Sequence, residues 1–141
     1  MRENASSAWT YFDSLVFIAH RPGRMREVDF AEYLADMYTK AGVTGAVVIP
    51  NNAVPLPGQR AQIQHWMESR HARVAVLSDS ILVRGAVTAL SWFDLPIHAF
   101  APHYTDDALK YVALPVQRWA AAKLALASLL KGLEIHWPAS L

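Results

Sequence analysis

Apolar runs of strand length alternate along this chain with segments of helical spacing. Residues 9–20 read as a strand ending in Leu15-Val16-Phe17-Ile18-Ala19, and Arg21-Pro22-Gly23 breaks it. Over residues 28–41 the spacing turns helical. Val28, Ala31, Leu34, Ala35 and Tyr38 share one face, Asp29, Glu32 and Asp36 take the other, and Gly42 follows as a terminator. Residues 43–49 form a second apolar run, closed by Pro50-Asn51-Asn52. An uncharged, proline-rich loop over 50–58 leads to a helix predicted for 59–70, with Ile63, Trp66 and Met67 on its inner side. A third strand over 73–77, a third helix over 80–93 and a fourth strand over 97–101 follow. Asp106 and Asp107 then open a helix, where acidic residues suit the positive end of the dipole.

Four strand–helix units joined by short links call for an α/β domain with four main parallel strands and right-handed crossovers. The nearly continuous apolar runs 43–49 and 74–77 suit strands covered on both faces. An extra strand over 7–13, pairing against the first, is compatible with this plan.

Past residue 114 the chain exceeds what four units need. Pro115 lacks an amide donor and predicts a break near Leu114. Beyond it Trp119, Ala122, Leu126, Leu129 and Leu133 recur at spacings of 3, 4, 3 and 4, a seam that faces a partner helix. Leu124 and Leu130 widen it, Gly132 ends the helix, and a short tail holds Trp137. The seam suits cover for the chain's own sheet, a second copy or another protein. Because the four units already supply helices, the expectation leans to a two-fold homodimer through Trp119, Leu126, Leu129 and Leu133.

Composition narrows the class. A chain of 141 residues fits one domain, and 53% hydrophobic against 18% charged residues argues against disorder. A net charge of +1 without a basic block gives no footprint for nucleic acid. The absence of cysteine excludes disulfides, thiolate nucleophiles and zinc–thiolate sites, and fits a reducing compartment. Residues 1–8 are polar, and the run 15–19 is too short for the core of a secretory signal. The longest apolar candidate, 119–130, contains Lys123 and falls short of a membrane span. The expectation is a cytoplasmic protein with no transmembrane segment.

With the third strand and helix placed, a family pattern emerges from Arg73-Val74-Ala75-Val76-Leu77-Ser78-Asp79-Ser80. It continues through Val83-Arg84-Gly85-Ala86-Val87-Thr88-Ala89-Leu90-Ser91-Trp92-Phe93 and Ile97-His98-Ala99-Phe100. This pattern resembles the SpoIIAA-like, or STAS-like, small α/β proteins of bacteria, most closely over 73–104, more thinly over 15–70, and not beyond 113. The resemblance implies a parallel sheet wound as a βα superhelix over 1–114, with 115–141 as an added carboxy-terminal helix and tail. It also implies regulation by protein contact rather than catalysis. Members controlled by phosphorylation carry a serine at the start of the helix after the strand matched here by 43–49. Residues 50–58 contain neither Ser nor Thr, so that switch lacks its central residue.

Ligands of open parallel sheets bind beyond the strand carboxyl ends, at a reversal of strand order. Four ends supply His20-Arg21, Asn51-Asn52, Ser78-Asp79-Ser80 and Ala101-Pro102-His103. Ser80, Asp79, His103 and His20 are the residue types of a hydrolase triad, but no G-x-S-x-G elbow is present. A sequential strand order would also offer no reversal crevice. Asp79 or Ser80 has a plainer task as the cap of the third helix. Arg84, one turn in, either reaches back to a carboxylate at that cap or faces solvent. The candidate partner or ligand contacts are therefore Arg21, Asn51, Ser78, Asp79, Ser80, Arg84 and His103.

No glycine combination forms a phosphate loop, and Gly85 inside the third helix points to close backbone approach to the sheet. Without an H-E-x-x-H pair, a metal would need His20, His103 and Asp79 to converge, so neither metal nor cofactor is expected. Arg21, Arg24 and Arg26 are followed by Glu27 and Asp29 and read as a solvated loop. The favoured function is a non-catalytic regulatory or scaffold module acting on an unidentified protein partner. The alternatives are a small-ligand module at the strand carboxyl ends and, behind it, a small hydrolase.

Overall fold

In the computed structural model, which describes residues 1–23, 25–53, 55–92 and 94–133, the apolar runs become the centre of a six-stranded sheet. Its strands are β1 (Arg2–Glu3), β2 (Ser7–Phe12), β3 (Leu15–His20), β4 (Gly45–Ile49), β5 (Arg73–Leu77) and β6 (Ile97–Phe100), in that spatial order. The last four run parallel, as the strand–helix alternation predicts. Arg24, Val54, Phe93 and the tail 134–141 with Trp137 lie outside the described residues.

The segment 9–20 is not one strand but the greater part of an antiparallel hairpin, β2–β3. Asp13 turns the chain with a left-handed φ of 53°, aligning Phe12 with Leu15 and Ser7 with His20. Aspartate tolerates that conformation better than most residues. Apolar residues on both sides of an Asp-Ser pair conceal the turn, since the pair is not among the strong hairpin signals.

Helices α1 (Glu27–Tyr38), α2 (Pro57–Arg70) and α3 (Ile81–Ser91) join the parallel strands. With strands in sequential order, right-handed crossovers place all three helices on the same side. There Phe30, Trp66 and Val87 pack over Ile18, Val74 and Val76. Successive strand residues point to opposite faces. Phe17, Val47, Ile49 and Leu77 therefore meet the other side, which no crossover can reach.

That second side is closed by α4 (Thr105–Tyr111) and α5 (Trp119–Gly132), with Leu109, Leu126, Leu129 and Leu133 in its core. This corrects the dimer seam. Leu126, Leu129 and Leu133 are 0%, 1% and 4% exposed within their own chain, so a second copy has no access to them. Trp119 is half-buried, and its indole N–H donates to the Leu114 carbonyl at 2.8 Å. The four units do supply helices, but on one face only. The break falls where proline predicts it: Ala113 takes a left-handed φ of 63°, and a short 3-10 turn, Val116–Arg118, follows Pro115. Arg118 then anchors α5 by donating from Nε and Nη2 to the two Asp13 carboxylate oxygens, at 3.0 and 3.1 Å.

Two further expectations change. Helix α1 buries Phe30, Tyr33, Leu34 and Met37, whereas Val28, Ala31, Ala35 and Tyr38 are exposed. The larger aromatic stripe wins the core, because it removes more apolar area from water. Asp29 is buried with it and is satisfied by the Ser6 hydroxyl, which donates at 2.6 Å, and by Arg26 at 2.9 Å. Asp36 accepts from Trp9 Nε1 at 2.8 Å and from the Tyr11 hydroxyl at 2.6 Å. Gly85 makes no close approach, since a Cβ built there meets nothing within 4 Å.

Candidate functional site

The carboxyl end of β5 is a chain of local caps. Ser78 donates its amide to the Phe100 carbonyl at 2.9 Å, and its hydroxyl accepts the Ser80 N–H at 3.0 Å. Ser80 in turn accepts the Val83 N–H at 3.3 Å, which makes it the α3 N-cap. Arg84 folds back over this end, with Nε 3.4 Å from the Ser78 carbonyl and Nη2 4.0 Å from the exposed Asp79 carboxylate. Ser78, Asp79, Ser80 and Arg84 thus form one cluster.

The other strand ends do not join it. Arg21 pairs with Glu3 at 3.3 Å. Asn51 and Asn52 take left-handed φ angles of 49° and 68° in the turn after β4. His103 sits exposed on a short 3-10 turn, its ring 4.2 Å from that of Tyr104. Among the described residues, no hydrogen bond links Ser78, Asp79 or Ser80 to His20 or His103. The hydrolase arrangement lacks its nucleophile–base contact.

A different serine does meet a histidine. The buried Ser7 hydroxyl lies 2.8 Å from His20 Nδ1 across the hairpin. Burial lowers the His20 pKa to about 4, so the ring is neutral near pH 7. No carboxylate bonds to that ring among the described residues. The pair is invisible until the turn at Asp13 brings residues 7 and 20 into register. His20 also borders an apolar chamber of about 110 Å³ between the sheet and α1–α3. Ile18, Val76, Phe30, Trp66 and Val87 line it, and Pro50, Ala53 and Pro55 contribute from the loop after β4.

Outside, α3 presents apolar side chains to water. Ile81, Leu82 and Trp92 are 88%, 70% and 78% exposed, while Val83, Val87 and Leu90 hold the inner face. At about 100° per residue, Ile81, Leu82, Gly85, Ala89 and Trp92 fall within one arc roughly 100° wide. The stripe begins beside the Asp79–Arg84 cluster.

No family model matches the sequence, and no curated protein matches it either. Solved structures similar in fold include two that show the likeness. One is the anti-sigma factor antagonist SpoIIAA in its unphosphorylated form, with a TM-score of 0.54 and 13% identity, covering 74% of this chain and 98% of that one. The other is an uncharacterized protein of the DUF3478 family from Shewanella loihica PV-4. It has a TM-score of 0.53 and 16% identity, covering 80% of this chain and 99% of that one. The fold is SpoIIAA-like.

Within the SpoIIAA-like fold, the loop at 50–58 carries left-handed asparagines and leads into α2 at Pro57, with no hydroxyl side chain. The arrangement of sheet and helices is shared with these solved structures.

Proposed function

We propose that the protein is a non-catalytic regulatory or scaffold module that acts through protein contact across the outer face of α3. The solvent-facing stripe of Ile81, Leu82 and Trp92 carries this reading. Burying one such side chain is worth about 1.5–3 kcal/mol. The charged Asp79 and Arg84 stand beside it, as a polar rim stands beside the apolar centre of an interface. The similarity in fold to an anti-sigma factor antagonist supports a regulatory role. The use of Ser80 as a helix cap, which occupies the hydroxyl a hydrolase would need as nucleophile, supports the non-catalytic reading. The cysteine-free chain suits a cytoplasmic site of action, and no described helix is long and apolar enough to cross a membrane.

A photo-crosslinking residue at Leu82 in the full chain, with Glu32 on α1 as control, tests the proposal in the producing cells. We expect a discrete crosslinked protein at position 82 that is absent at 32 and lost with Trp92→Asp. Identical products at both positions, or none at either, would refute it. A product of twice the chain mass would make the partner a second copy.

A further inference from the structure

The chamber beneath α1–α3 has a chemistry distinct from the outer stripe. Among the described residues, no Lys, Arg, Asp or Glu lines it. Its titratable neighbours are His20, held neutral by burial, and Tyr33, whose hydroxyl burial keeps protonated. An ion entering such a space loses its hydration with no opposite charge in return, so the occupant is uncharged. Apolar cavities of roughly 150 Å³ stay dry and take up benzene. At about 110 Å³ this one suits a compact five- or six-membered ring.

One polar group in the wall lacks a partner. Trp66 is 2% exposed, and its indole N–H finds no acceptor among the described residues. The contrast with two other indoles is direct: Trp9 donates to Asp36 and Trp119 to the Leu114 carbonyl, each at 2.8 Å. A buried donor is ordinarily paired, and an unpaired one is where a ligand atom gains most.

We propose that this chamber binds a compact, uncharged ring compound with one hydrogen-bond acceptor, which takes the Trp66 indole N–H. The site lies between the sheet and the inner faces of α1–α3 and reaches the strand carboxyl ends at His20 and Pro50, apart from the outer surface of α3.

Titration of the full chain at pH 7.5 with cyclohexanone, and separately with the near-isosteric methylenecyclohexane, tests this by NMR. The Trp66 indole N–H resonance, assigned by its loss in Trp66→Phe, reports the hydrogen bond, and the methyl resonances of the lining Val76 and Val87 report occupancy in every variant and with either compound. Cyclohexanone should shift the indole resonance downfield saturably, and methylenecyclohexane should not. Trp66→Phe should weaken cyclohexanone by about tenfold, the worth of one hydrogen bond, and leave methylenecyclohexane within about twofold. Ala86→Leu, which fills the chamber, should abolish binding of both. No indole shift with either compound, equal indole shifts with both, or unchanged binding in a folded Ala86→Leu protein would overturn the proposal. If either variant fails to fold, the paired titrations of the wild type still decide it.

Discussion

The two faces of the sheet are covered by different means, and they are packed differently. On one side three crossover helices, each tied to two strands, leave a chamber of about 110 Å³ and an indole N–H without an acceptor among the described residues. On the other side α4 and α5 lie over the strands without being crossovers between them, and Ala108, Leu109, Ala122 and Leu126 are all 0% exposed. A crossover helix has its ends set by the strands it joins, so its height over the sheet is a compromise. A helix tethered at one end can settle until its side chains interlock. The crossover face is therefore the one with room for a ligand.

The largest expected effect lies on the closed face. Leu129→Ala should cost about 3–5 kcal/mol in urea unfolding, because a fully packed site cannot collapse around the loss. Leu90→Ala, beside the chamber, should cost nearer 2 kcal/mol, since fewer contacts surround it. Equal losses would erase the distinction between the faces.

Next in size is a pH effect confined to the crossover face. His20 has a folded pKa of about 4 against an ordinary 6.5, the cause being burial. The depressed value means that the contribution is fully present above pH 6.5 and is lost as pH falls toward 4, as the unfolded chain takes up the proton first. The full loss is roughly 3 kcal/mol. Unfolding midpoints recorded from pH 7.5 to 4 should show this slope, and His20→Gln should flatten it. An unchanged slope in that variant would assign the effect elsewhere.

Added volume should then act with opposite sign on the two faces. Val87→Ile extends into the chamber and should stabilise by about 0.8 kcal/mol, the value of one buried methylene. Ala108→Val meets a full core and should cost about 1–3 kcal/mol. Thermal unfolding of both variants checks the pair, and destabilisation by Val87→Ile would mean that the chamber cannot accept even one carbon.

The smallest effect concerns glycines. Gly85→Ala points into open space on a helix and should stabilise by up to about 1 kcal/mol. Gly45→Ala should destabilise, because its Cβ would lie 2.8 Å from Leu15 Cδ2 and 3.2 Å from the Arg73 carbonyl oxygen. Differential scanning calorimetry should move the two melting temperatures in opposite directions.

Read alone, the sequence determined what depends on near neighbours. The parallel βα order, the Ser80 cap, the Pro115 break and the Gly132 terminus each rest on a few adjacent residues and their backbone preferences. The SpoIIAA-like fold was legible on the same basis, over the stretch 73–104. What tertiary structure decided was which partner each apolar stripe meets. Periodicity makes a helix face apolar without saying what covers it. The seam of α5 was settled only when sequential crossovers left one side of the sheet bare. For α1, two stripes competed, and the one carrying Phe30 and Tyr33 took the core. Ser7 and His20 are joined by a turn that apolar flanks conceal, and the chamber belongs to no single segment, being the space that three helices and a sheet fail to fill. Contacts between distant segments depend on register and handedness, and those are properties of the assembled layers rather than of any local run of residues.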